Sequence, residues 1–113
     1  MNNQSNLGSE LKAKLDQWIG QELLITKEED GDIDKTHLSL KNTDIEQVNS
    51  IDDYVLPFVL RLKGSGEVIT DDGESPLPYE CYEIPFKHIT KSSMTDAELS
   101  FQTDRAIYKL HRK

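Results

Sequence analysis

Five carboxylates crowd one short stretch of the sequence: Glu28, Glu29, Asp30, Asp32 and Asp34, with Gly31 in their midst. The alternating spacing of Asp30, Asp32 and Asp34 matches the start of a calcium loop, in which oxygen ligands converge on a hard cation. Such a loop also needs glycine at its sixth position for the sharp turn and a bidentate glutamate at its twelfth. Lys35 and Lys41 stand there instead. The five acids are therefore expected at the solvated tip of a hairpin, where charge opposes edge-to-edge strand pairing. They are also the candidate surface for a protein partner. Asp71, Asp72 and Glu74 form a second acidic stretch, expected to be an ordinary exposed loop.

Other chemistry-bearing residues are scattered. His37, His88 and His111 have no close ligand spacing, and the single Cys81 makes no C-x-x-C pair. Strand parity turns His37 away from Leu38, toward solvent. Cys81 lies beside Tyr79 and Tyr82, where a small buried thiol is the ordinary finding. Gly64-Ser65-Gly66 has the chemistry of a turn and lacks the flanking motif of a phosphate loop. Arg105, Lys109, Arg112 and Lys113 read as a basic, frayed tail. Of the aromatics Trp18, Tyr54, Tyr79 and Tyr82, Trp18 is assigned to the core, and the others suit an interface where exposed. No catalytic residue, metal ligand or cofactor-binding residue is assigned, and no cofactor is expected.

The whole chain sets limits on what it can bind. Its 113 residues fall within the range of one domain. Its 35% hydrophobic content, regularly placed, is too high for a disordered chain. Thirteen basic and 21 acidic residues give a net charge of −8. Nucleic-acid phosphates and anionic membranes both require cationic surfaces, so neither is an expected partner. A basic protein is an acceptable one. Twelve of the acids, against five bases, fall in residues 1–53. The N-terminus has neither a basic region nor an apolar run, one cysteine precludes an intramolecular disulfide, and no apolar stretch approaches the length of a membrane span. These features lead to an expected cytoplasmic location.

The elements that would position these residues follow from hydrophobic period. Residues 1–8 are expected as a flexible leader and residues 9–113 as one domain. Leu11, Leu15, Trp18 and Ile19 share a helical face, with Ser9 as N-cap and Gly20 ending the helix. The period then changes to two. Asp30-Gly31 predicts a type I′ hairpin in which Leu23 faces Leu38, Ile25 faces Thr36 and Lys27 faces Asp34. Residues 41–53 lack a clean period and read as a loop with a short strand or turn near Ile45. Residues 54–63 read as a strand, bent at Pro57, that turns at Gly64-Ser65-Gly66 into residues 67–70. Residues 71–78 read as loop, 79–84 as a strand limited by Pro85, and 91–95 as loop, with Phe86 and Ile89 anchored between them. A last hairpin sets Phe101 opposite Tyr108 and Leu99 opposite Leu110.

One helix and about six mostly antiparallel strands give an α+β, β-dominant fold, a bent sheet or small barrel with the helix packed on it. The order of helix then strands resembles that of the Sm-like barrels, in element order alone. Residues 40–44 carry no Sm motif, and the charge opposes RNA. The functional expectation is a non-catalytic intracellular protein-binding module. A sharper form is an acidic inhibitor or immunity-type protein of a basic partner, and the alternative is a small-ligand-binding or catalytic barrel.

Overall fold

The computed structural model describes residues 3–47 and 58–113. Helix α1 (Asn3–Asp16) is followed by β1 (Glu22–Glu29), β2 (Asp32–Gln47), β3 (Phe58–Thr70), β4 (Gly73–Pro76), β5 (Cys81–Phe86), β6 (Ile89–Met94), β7 (Glu98–Thr103) and β8 (Ile107–Arg112). The strands form one antiparallel sheet of order β4-β3-β2-β1-β8-β7-β6, and β5 also pairs with β3. β4 and β6 end this path without joining. The fold is thus a β-dominant α+β fold built on an open sheet, and the closed Sm-like barrel is not formed.

α1 packs on the inner face of the sheet, where Leu11, Leu15 and Trp18 are buried as their spacing requires. The helix starts at Asn3, so Ser9 lies inside it and is no N-cap. Gly8 is itself buried against the core: a β-carbon there would meet Phe86 Cζ at 3.0 Å. Ile19 is 43% exposed, because the helix ends at Asp16 and the chain turns before Gly20, whose φ is +93°. Asp16 accepts a hydrogen bond from the Thr43 hydroxyl, which ties the helix end to β2.

The β1–β2 hairpin has the register the sequence predicts, with Leu23, Ile25 and Lys27 facing Leu38, Thr36 and Asp34. Asp30 and Gly31 both take positive φ, as a type I′ turn demands. Beyond it, β2 continues through residues 41–47, which the sequence reads as loop. The cause is a β-bulge. Lys41 has no partner on β3, since Leu40 pairs with Gly64 and Asn42 with Lys63. The extra residue reverses the alternation, so that Leu40 and then Thr43 are buried. Residues 48–57, including Pro57 and Tyr54, lie outside the described residues.

β3 corrects a second expectation. Gly64-Ser65-Gly66 does not turn the chain but continues a 13-residue strand, paired with Leu40, Ser39 and Leu38. The glycines are there for close approach. A β-carbon on Gly66 would lie 2.1 Å from the His37 carbonyl oxygen, and one on Gly64 would lie 1.9 Å from that of Ser39. The outer edge of β3 is then shared. Residues 58–63 pair with β5 and residues 67–70 with β4, a short hairpin strand within the expected 71–78 loop. Tyr79 stands in a 3-10 turn before β5 instead of starting a strand. Residues 91–94 belong to β6, where a bulge between Thr90 and Ser93 and a positive φ at Lys91 obscure the period.

β7 and β8 pair as expected, Phe101 stacking on Tyr108 at 5.3 Å and Leu99 facing Leu110. Neither Asp104 nor Arg105 takes positive φ, so the turn is not type I′. The expected frayed tail is instead a central strand. Tyr108 and Leu110 are buried, and β8 lies between β7 and β1. The core runs from Leu11, Leu15 and Trp18 through Leu38, Leu60, Leu62, Ile84 and Phe86 to Phe101, Tyr108 and Leu110.

The glycine contacts give a direct test. Gly66→Ala is expected to lower unfolding stability by about 3 kcal/mol, the upper part of the overpacking range, because backbone and not a flexible side chain must give way. Ser65→Ala, between the two glycines and exposed, is expected to stay within about 0.5 kcal/mol of wild type. Urea melts of the two variants compare them, and equal stability would overturn the close-approach reading.

Candidate functional site

The alternation that builds the hairpin also divides its acids. Glu28 shares the outer face with Ile33, its cross-strand partner, while Glu29, Asp32 and Asp34 point the other way and Asp30 sits in the turn. Lys27, on the inner side, pairs with Glu29 at 3.1 Å. On the outer face one rung crosses three strands, Ile33 on β2, Glu28 on β1 and Ile107 on β8. Ile33 is 59% exposed and Ile107 39%. With strands spaced at about 4.8 Å, the two isoleucines stand about 10 Å apart, one on each side of Glu28. A cleft of about 200 Å³ lies beside them, lined by Glu28, Asp30, Asp104, Arg105 and Ile107, between the tips of the two hairpins. Desolvation raises the Asp104 pKa, but hydrogen bonds from the Lys87 and His88 amides outweigh it and hold the carboxyl below its ordinary value.

The histidines do not converge. His37 and His111 both face outward and flank Leu24, on strands separated by β1, while His88 is exposed at the β5–β6 corner. No group of three or more His, Cys, Asp or Glu suited to a metal ion occurs among the described residues. The reading of His37 as outward-facing holds, with Leu38 buried beneath it.

Cys81 is only half-buried and starts β5 on the outer face, opposite Lys63, rather than sitting in the core. Desolvation and the nearby Glu83 push its thiol pKa up, so it is not an activated nucleophile. Its neighbours form an ion-pair net. Arg61 reaches Glu83 at 3.0 Å, Glu46 at 3.4 Å and Asp44 at 3.5 Å, and Lys63 reaches Asp44 at 2.8 Å. The Lys63 hydrogen bond, offset in part by desolvation, holds the Asp44 carboxyl below its ordinary value. Of the named aromatics, Trp18 is core, Tyr82 is packed against it, and Tyr79 is 99% exposed on a backbone with φ of 56°.

A larger depression crosses the outer face at the other end of β1. It holds about 420 Å³ and is lined by Glu22, His37, Ser39, Ser65, Glu67 and Lys113, with Leu38 and Gly66 in its floor. Lys113 Nζ is in hydrogen-bond contact with His37 Nδ1. Glu67 is hydrogen-bonded to Glu74 on β4, and this contact with a like charge raises its pKa, against a smaller opposing effect of His37. The sequence reading missed this groove, because its residues come from four strands and the Gly64–Gly66 stretch looked like a turn.

A protein family described as "YmzB-like protein" matches residues 4–113. The chain is 37% identical over 107 residues to the "Uncharacterized protein YmzB" of Bacillus subtilis (strain 168), covering 86% of this chain and 91% of that protein. No solved structure matches. No helix among the described residues is long and apolar enough to cross a membrane.

The Glu67–Glu74 pair makes a pH prediction. A group whose folded pKa is raised adds stability that is full below its unfolded pKa and is lost as pH rises through the folded value. The Glu67 contribution to stability is therefore expected to be full at acid pH and to be lost as pH rises past the ordinary glutamate range. Glu74→Gln, which keeps a hydrogen-bonding side chain without the charge, is expected to flatten that part of the profile and to raise the melting temperature slightly at pH 7. Superimposable pH profiles for the two proteins would count against the Glu67–Glu74 contact.

Proposed function

Because the chain belongs to the YmzB-like family, whose Bacillus subtilis member carries the word "uncharacterized" in its name, we propose its function from its surface: it is a non-catalytic protein-binding module of the cytoplasm. It meets its partner with the sheet end that carries the β1–β2 tip. The observation that supports this is the outer-face rung of Ile33, Glu28 and Ile107. Protein interfaces set a few apolar anchors within a polar rim. Here two exposed isoleucines stand in one row, with Glu28 between them and Asp30 beside them.

The sharper form, an acidic protein that covers a basic partner, is favoured by the charge at this end. At this end Glu28, Glu29, Asp30, Asp32, Asp34 and Asp104 outnumber Lys27, Lys35, Arg105 and Lys109, and Lys27 is already paired with Glu29. Complementary charge speeds association and selects the partner, and salt weakens it. The protein ligand is accordingly basic, with an apolar residue near its positive side chains.

Affinity co-purification at low and high salt, with wild type and the Ile33→Ser/Ile107→Ser double variant side by side, tests the proposal. The expected result is one stoichiometric protein that wild type retains at low salt and releases at high salt. The double variant should bind it at least tenfold more weakly, as for the loss of one or two central anchors. A partner held equally by both proteins would move the interface elsewhere. A partner indifferent to salt would remove the acidic-inhibitor form and leave the binding module. No protein partner at all would sink the proposal.

A further inference from the structure

The outer-face groove at the Glu22 end of β1 has a form independent of the acidic tip. Its floor is low because Ser39 and Ser65, directly paired across β2 and β3, have short side chains. Its walls are long and charged. On one side Lys113 extends from the end of β8, its backbone amide bonded to the Glu22 carbonyl at 2.9 Å, until its Nζ meets the His37 ring. On the β3 side Glu67 stands directly across the strands from His37, while Glu22, next to Ser39 on β1, lies on the side of Lys113. Both signs of charge therefore face one space of about 420 Å³, within the size range of small-ligand sites.

We propose that this groove binds a small zwitterion of amino-acid size, its carboxylate held by Lys113 and His37 and its ammonium by Glu67. A simple anion would meet the two glutamates, and a simple cation the lysine. A molecule with both charges a few ångströms apart satisfies each wall. The contact already made by Lys113 points the same way. A neutral imidazole accepts a hydrogen bond from an ammonium group but does not compensate its charge. A carboxylate placed beside it does both, and a charge-assisted bond is about twice as strong as a neutral one. The hydroxyls of Ser39 and Ser65 both donate and accept, so the floor serves either end of the ligand.

The test is an NMR titration of the 15N-labelled full chain with glycine, L-alanine and glycylglycine, and with acetate and methylammonium as half-ligands. At least one zwitterion is expected to give saturable shifts centred on Ser39, Ser65, Gly66 and Glu67. Each half-ligand should bind at least tenfold more weakly, since it leaves one wall unpaired. Lys113→Ala should remove the binding without altering the melt. Lys109→Ala, on the same face of β8 but outside the groove, should leave binding intact. The proposal is overturned if no zwitterion gives saturable shifts at about 50 mM, a limit beyond which affinity is negligible. It is equally overturned if acetate binds as well as the zwitterion, or if Lys113→Ala binds as wild type does.

Discussion

At Gly64 and Gly66 the backbone of β3 comes so close to the carbonyls of β2 that no β-carbon fits between them. Much of the molecule depends on that approach. It lets β3 run unbroken for 13 residues where two glycines would ordinarily invite a turn. A strand of that length offers two successive stretches of its other edge, and β5 takes one and β4 the other. β5 brings Ile84 and Phe86 into the core, where Phe86 stacks on Phe58 and receives Gly8 of the helix. The bulge at Lys41 lies directly opposite Gly64, so the irregularity of one strand is matched by the missing side chain of the other.

How much of this could be read beforehand depended on how local the cause was. The β1–β2 and β7–β8 registers were legible because turn residues and facing apolar pairs agree within some 15 residues of chain. Leu11, Leu15 and Trp18 were legible because a helix repeats its own period. The second half of β2 was hidden, since a single bulged residue reverses the alternation by which strands are recognised. The same holds for β6, with its bulge after Thr90. Gly64 and Gly66 misled for a different reason. Glycine serves a turn and a close approach equally well, and the difference lies in what stands opposite, here the carbonyls of Ser39 and His37. The acidic cluster was visible as composition, but its division between two faces, and the isoleucines beside Glu28, emerge only once three strands are in register. The groove, drawn from β1, β2, β3 and the end of β8, had no signal within any one segment.

Charge is arranged in this molecule by distance from the core as much as by sequence position. The outer face of β2, β3 and β5 carries a net in which Asp44, Glu46 and Glu83 surround Arg61 and Lys63. Exposed pairs of this kind contribute little to stability one by one, but they leave that region nearly neutral. An excess of acids is left at the hairpin tips, where they outnumber Lys27, Lys35, Arg105 and Lys109. An acidic chain thus presents one net negative end and one mixed outer face, two surfaces with different chemistry on the same sheet.

Among the described residues the open sheet leaves outer edges on β4, β5 and β6, and those of β4 and β6 are each spoiled in their own way. β4 is four residues long and ends in Pro76, which has no amide hydrogen to offer. β6 is broken by its bulge, and Lys91 at the break turns its backbone into a left-handed conformation. A ladder needs a run of evenly spaced amides and carbonyls to extend, and neither edge supplies one. Two copies meeting at the β4 or β6 edge therefore find no even ladder to extend.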